Sequence, residues 1–501
     1  MKQKIVLAIL AVTLMLSSCS DSFFDINTNP NRPKKPAVLP QYLLPMVLKQ
    51  TAYRMGTQYS WAAFWTGYYG RGADFGISLP LENYDITTSY QLTQWANFAN
   101  SSTWFDVLND ATLMAAIGEE QGEPFYVGVS KVIRAIGFMY LVDMYNNVPY
   151  SDALNVNSSM APKYDKGADI YKGLLNELEE ARTIFKSIDE VSVTAAGADA
   201  LFQGDLEQWR KLANTQALKL LIHQSEVVEN PTDELAKITA DGSDFIEAGN
   251  SATLNLTFSN NVDQVNPVYI EYVANQSGIA TDGFTRVSNY LLNRYIANDD
   301  IRYQYLFLPA INPADPSQPW VGADFGAATN PELQSARQSV VVGTGILKDG
   351  AEPLWFFTSM ESLFLQAEAT QRGWLSGDAK LSYENAVKES FIWLEVPSAE
   401  TEANKILSGY ANWATAANKL ELIINQKYLS LPSINNFEAY VDYRRLGYPT
   451  DVPLSKLPNL NGRKIPLRLL YPQTEYSYNN TNVVAEGEID AQESKIFWDV
   501  E

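Results

Sequence analysis

Apolar residues recur at helical spacing along most of this chain, and in one stretch they do so twice in succession. In TSMESLFLQAEATQRGWLSGDAKLSYENAVKESFIWL (358–394), Leu363, Phe364 and Ala367 form one stripe. Gly373 and Gly377 interrupt it, and Ala379, Tyr383, Ala386, Val387, Ser390, Phe391 and Leu394 form a second. Residues three and four apart share a helix face, so the unit reads as two antiparallel helices on a short glycine-containing turn. Thr358 and Glu361 fit a reciprocal capping box at its start. Such a pair cannot bury its apolar faces alone and completes its core by stacking on similar pairs.

The same rule recurs elsewhere. VGVSKVIRAIGFMYLVDMY (127–145) places Val129, Val132, Ile133, Ile136, Met139 and Tyr140 together, with Ala135 and Gly137 small enough to admit a neighbouring helix. In IYKGLLNELEEARTIF (170–185), Tyr171, Leu174, Leu175, Leu178, Ala181 and Phe185 face inward and Lys and Glu face solvent. DLEQWRKLANTQALKLLIHQ (205–224) stripes Trp209, Leu212, Ala213, Ala217, Leu220 and Leu221. Between 243 and 350 the periodicity fades into Asn, Gly, Pro, Ser and Thr, which predicts long irregular loops with a few short strands, the kind of insertion that carries binding function. The expected fold is mainly α: tetratricopeptide-like hairpins forming a scaffold over a single domain, 41–501, with 243–350 as a loop-rich insertion.

The start of the chain is different. Lys2 and Lys4, an apolar run from Ile5 to Leu16 and two serines have the layout of a secretory signal over residues 1–18. The run is too short for a membrane span, which needs roughly 20 residues. Cys19, the only cysteine in the 501 residues, follows at once, and Leu16-Ser17-Ser18-Cys19 resembles the lipobox of bacterial lipoproteins. That resemblance implies cleavage before Cys19 and lipidation of its thiol, which anchors the chain to a membrane. Two or three acyl chains hold a protein stably where one does not. Residues 19–40, with prolines at 30, 33, 36 and 40, read as an extended tether.

Composition then removes several chemistries. The 37 basic and 58 acidic residues become 35 and 58 once Lys2 and Lys4 are lost, a net charge of −23 that repels nucleic acid and anionic headgroups. One histidine, His223, on an apolar helix, and one cysteine cannot assemble the usual zinc ligand sets or a Ser-His or Cys-His nucleophile pair. GYYGRGADFG lacks the spacing of a phosphate-binding loop. No cofactor and no metal is expected. A carboxylate pair stays open, so the rival reading is an α/α-toroid glycoside hydrolase using an Asp/Glu dyad. A purely structural surface protein is a third.

Several segments, in order, resemble the SusD/RagB family of nutrient-binding outer-membrane lipoproteins, in its SusD-like branch. They are DINTNPN (25–31), KVIRAIGFMYLVDMYNNVPYSDAL (131–154), GDLEQWRKLANTQALKL (204–220), FFTSMESLFLQAEATQRGW (356–374) and RLLYPQTEYSYNNTN (468–482). The resemblance implies a cell-surface, lipid-anchored, non-enzymatic protein that binds an oligosaccharide or peptide. It also implies a partner, a SusC-like TonB-dependent barrel transporter that the protein covers as a lid.

For the ligand, the stretch YSWAAFWTGYYGRGADFG (59–76) is richest in flat rings, which suit the C–H faces of sugars. Trp61 and Trp65 fit a buried stripe with Tyr68, and Trp65 stays among the candidate contacts. Glycines at 67, 70 and 72 are expected to open a loop presenting Tyr68, Tyr69, Arg71 and Phe75. Trp320, in SQPWVGADFG, has no helix around it and is a further candidate platform. Trp104, Trp209, Trp355 and Trp374 read as packing residues. No pattern names the ligand: starch, another glycan, a glycoprotein oligosaccharide or a peptide all fit.

Overall fold

The computed structural model describes residues 38–76, 79–95, 102–154, 160–330 and 334–500. The signal segment 1–18, Cys19, Asp25–Asn31 and the tether as far as residue 37 lie outside the described residues. Twelve described helices reach nine residues or more: α1 Pro40–Thr57, α2 Trp104–Gln121, α3 Pro124–Tyr145, α4 Gly167–Ser187, α5 Leu206–His223, α6 Thr232–Asp241, α7 Asn289–Ala297, α8 Ser359–Gln371, α9 Ala379–Trp393, α10 Ala399–Ser408, α11 Lys419–Ser430 and α12 Asn436–Leu446. Helix α1 begins on Pro40, a residue expected in the extended tether. A proline at the first helical position lacks only an N–H that the helix leaves unpaired anyway, and its fixed φ suits the turn.

Consecutive helices pack as antiparallel neighbours, α2 on α3, α3 on α4 and α8 on α9. Thr103 and Asp106 close a full capping box at the start of α2, and Gly122, at φ 71°, ends it just before Pro124 opens α3. Helix α3 is long and apolar enough to cross a membrane, yet most of it is packed inside the protein. Gly137 allows this, because a Cβ there would sit 2.9 Å from both Leu108 and Trp104 of α2. The 358–394 unit forms the expected hairpin, but only half of its capping box. Thr358 Oγ1 accepts from the Glu361 N–H at 3.3 Å, while the Glu361 carboxylate turns to Lys219 Nζ at 2.6 Å and Asn435 Nδ2 at 2.9 Å. A buried ammonium on α5 needs a counter-charge more than the N-cap needs a second bond.

Two short antiparallel ribbons tie distant segments together. Strand β1 (Tyr69–Arg71) pairs with β3 (Thr285–Val287), and β2 (Ala252–Leu254) with β4 (Leu354–Phe357). The 243–350 region is therefore stitched to its flanking segments near its start, through β2, and in its interior, through β3. It also holds α7, which loop composition hides, although Ser288 caps it and Leu291, Leu292 and Tyr295 bury one face.

His223 lies wholly inside, with Nδ1 3.0 Å from Asp143 and Nε2 3.2 Å from Glu438. Burial alone would push its pKa down; the Glu438 and Asp143 carboxylates outweigh burial and raise it. The stabilisation this gives is complete below the unfolded value of about 6.5 and is lost as pH rises through the folded value. Melting of the wild type is expected to weaken between pH 6 and pH 9 in a way that His223→Gln does not share. Parallel slopes in the two proteins would show that folding leaves the imidazole pKa unshifted.

Candidate functional site

The glycines expected to open a loop after Trp65 instead let backbones meet. A Cβ on Gly70 would lie 2.5 Å from the Ala323 carbonyl oxygen, and one on Gly72 2.5 Å from that of Gly283. The neighbouring side chains are sealed as a result. Trp65, Tyr68 and Tyr69 are fully buried and Arg71 is 3% exposed, which corrects the expectation that these four offer surface to a ligand. Tyr68 donates its hydroxyl to the Tyr428 carbonyl at 2.5 Å, and Asn436 Nδ2 donates to the Tyr69 hydroxyl at 3.1 Å. Arg71 pairs with Glu82 at 2.7 Å and donates to the carbonyls of Phe75 and Ala327.

These buried residues back a cleft of about 510 Å³ between the short helix Ser60–Trp65, the segment around Tyr90 and the segment 270–285. Trp61 and Phe64 line its apolar part, Tyr90 and Phe284 supply half-buried rings, and Ser60, Gln91, Thr281 and Thr285 supply hydroxyls and an amide. Trp65 stacks against Tyr90, with centroids 5.9 Å apart and planes 19° apart, and Tyr69 meets Phe64 edge-on at 5.6 Å. Phe75, 38% exposed, stands at 90° to Phe284 at 5.7 Å and extends this wall outward. So none of the six sequence candidates lines the cleft itself: Phe75 packs against the lining residue Phe284 from outside, and Trp65, Tyr69 and Arg71 lie buried behind the lining. Trp320 is half-buried edge-on against Tyr303 at 5.0 Å and does not line the cleft.

The charged groups in the cleft are carboxylates. Asp282 Oδ1 accepts from the backbone N–H groups of Phe284 at 2.6 Å and Thr285 at 3.0 Å, a turn that fixes the Phe284 ring. Glu271 is exposed by area but sits in the concave wall, where desolvation and then the Asp282 charge raise its pKa. The indole N–H of Trp61 has no acceptor within the protein, an unusual state for a buried donor. Among the described residues no group of three or more His, Cys, Asp or Glu is placed to hold a metal ion. Sequence reasoning did not find Tyr90, Glu271, Asp282 and Phe284. Thr281-Asp282-Gly283 is legible as a turn, but nothing local says that it faces residues 60–91.

The fold has known relatives. A SusD homologue from Bacteroides fragilis is 24% identical with a TM-score of 0.73, covering 92% of this chain and 99% of that one. A chitin-binding protein is 23% identical with a TM-score of 0.73, covering 91% and 100%. A SusD/RagB family protein from Bacteroides thetaiotaomicron is 20% identical with a TM-score of 0.71, covering 92% and 99%. No curated protein sequence matches the chain. The family model described as starch-binding associating with outer membrane matches residues 30–472, nearly the whole of the described protein. With helical hairpins, short ribbons and an aromatic cleft already in place, that match identifies the chain as a member of the SusD/RagB family, in its SusD-like branch.

Proposed function

We propose that this protein is a cell-surface receptor, held to the outer membrane by lipid on Cys19, that captures a glycan and passes it to a SusC-like TonB-dependent barrel transporter. The observation that carries the reading is the cleft: half-buried Tyr90 and Phe284 rings beside hydroxyls, an amide and carboxylates. Rings meet the C–H faces of a sugar, and the polar rim meets its hydroxyls. Phe75 is the sequence candidate best placed to lengthen the ring surface, while Trp320 with Tyr303 forms a separate half-buried pair that a long glycan could also reach.

Removing one stacking ring is expected to cost about 1.4 kcal/mol, or about tenfold in affinity. Calorimetry with neutral oligosaccharides should therefore show Tyr90→Ala and Phe284→Ala each about tenfold weaker than wild type, with no reducing ends released. A second reading draws on Glu271 and Asp282, two carboxyls in one cleft wall of which the first has a raised pKa, as the acid of a hydrolase pair does. Reducing ends that appear with wild type and vanish with Glu271→Gln would select the hydrolase.

A further inference from the structure

One wall of the cleft carries an arm. The chain leaves the lining after Ile270 and Glu271 and rejoins it at Thr281 and Asp282, and between them residues 273–281 fold back on themselves as a short hairpin. Ala274 and Ala280 bridge antiparallel, the Asn275 N–H donates to the Ile279 carbonyl at 2.9 Å and the Gly278 N–H to the Asn275 carbonyl at 2.9 Å. Asn275 Oδ1 accepts from the N–H groups of Ser277 at 2.9 Å and Ile279 at 3.1 Å. Among the described residues, no hydrogen bond joins 275–281 to anything outside the hairpin. The roots, by contrast, are fixed. Val268 and Tyr272 are buried on one side, and on the other Asp282 Oδ1 holds the turn that leads into β3. A self-bonded arm on fixed roots swings without leaving a backbone group unpaired, which is what a closing element needs. Its apolar residues are uncovered: Ile270, in the lining at the root, is 37% exposed, and Ile279, at the tip, is 64% exposed. One exposed isoleucine is ordinary on a protein surface. Two on one arm beside a concave surface have a common way to be covered, by whatever that surface holds.

Resting on the glycan-receptor reading above, we infer that hairpin 273–281 is a strap that closes across the mouth of the cleft onto a bound oligosaccharide, seating Ile279 on the C–H face of a sugar unit beyond those held by Tyr90 and Phe284. None of residues 272–280 lines the open cleft. A sugar short enough to lie within the walls therefore does not reach the tip, whereas a longer chain leaving the mouth passes beneath it. The strap makes the receptor selective for chain length, adding affinity to oligosaccharides and nothing to their short fragments. It also slows release, because the arm has to lift before the ligand leaves.

The test titrates the full-length protein with disaccharides and hexasaccharides of α-1,4-linked glucose, β-1,4-linked glucose and β-1,4-linked N-acetylglucosamine, with dissociation followed separately. For the hexasaccharide that binds tightest, Ile279→Ser is expected to weaken affinity about tenfold, through faster dissociation, and to leave the matching disaccharide unchanged. Phe284→Ala should weaken both lengths. Ile311→Ser, which alters an isoleucine 63% exposed but outside the cleft lining, should weaken neither. Amide exchange across 275–281 should slow when the hexasaccharide binds and not when the disaccharide does. Unchanged hexasaccharide affinity in Ile279→Ser, equal weakening of the two lengths, or an arm that exchanges as fast with hexasaccharide as without it would overturn the strap, while a loss in Phe284→Ala leaves the glycan receptor standing. Binding of none of the six sugars would overturn both.

Discussion

Glu438→Gln is expected to remove about 3–5 kcal/mol of stability, a large part of the roughly 5–15 kcal/mol that holds a domain folded. The wholly buried Glu438 carboxylate receives Lys219 Nζ at 2.8 Å, His223 Nε2 at 3.2 Å and Lys427 Nζ. Burial would raise its pKa; Lys219, Lys427 and His223 reverse that and hold it well below the usual carboxylate range. Around it, Asp143, Glu361, Glu368 and Asp442 meet Lys219, His223, Lys427 and Arg445, joining α3, α5, α8, α11 and α12 through charge. The amide keeps the shape and deletes the charge at the node, so three cations lose a shared partner in a medium that cannot rehydrate them. Denaturant unfolding should show a lower midpoint at unchanged m. The half-exposed Lys131–Glu180 pair, at 2.6 Å just as short, is the contrast: breaking it should cost less than about 1 kcal/mol. Comparable losses at both sites would mean that the inner network is solvated.

This network also shows where the sequence stops being legible. Lys219, Glu361 and Glu438 lie on amphipathic helices, where a charge that faces solvent and one that faces a buried partner look alike. The helices themselves were readable because a 3.6-residue stripe is local, and Gly137 could be read as a contact point because its small size has one use inside an apolar helix. Gly70 and Gly72 have two uses, freedom of the chain or close approach of a second backbone. The second prevails because Ala323 and Gly283 arrive from 253 and 211 residues further along the chain. Strands of three residues, β1 and β3, make that meeting, and three residues are too few for an alternation to show. The cleft inherits the difficulty. Its aromatic density near residue 61 was visible, but Phe284 and the acids opposite it belong to a pairing that no local pattern announces.

Arg302→Met is expected to cost a further large amount, again about 3–5 kcal/mol, and to release the 243–350 region before the helices melt. Arg302 is fully buried at the seam between that region and the scaffold. It meets both Asp300 carboxylate oxygens, at 2.6–3.1 Å, and donates to Ser390 Oγ of α9 and Ser430 Oγ of α11 at 3.0 Å and to Gln426 Oε1 at 2.8 Å. Methionine fills the volume but leaves Asp300 charged, buried and bonded to Tyr410 alone among its side-chain donors, at 2.7 Å. Amide exchange should therefore accelerate in Asn289–Ala297 and Thr285–Val287 while α3 and α5 stay protected. Glycan affinity should fall with it, because Thr285 and the adjoining Phe284 line the cleft although Arg302 does not touch it. The double variant Asp300→Leu/Arg302→Met separates charge from packing. If the lone carboxylate is what opens the seam, removing it restores much of the protection and the affinity. If the double variant opens as far as the single one, the five-way hydrogen bonding of the guanidinium, and not its charge, is what fastens the binding region to the helices.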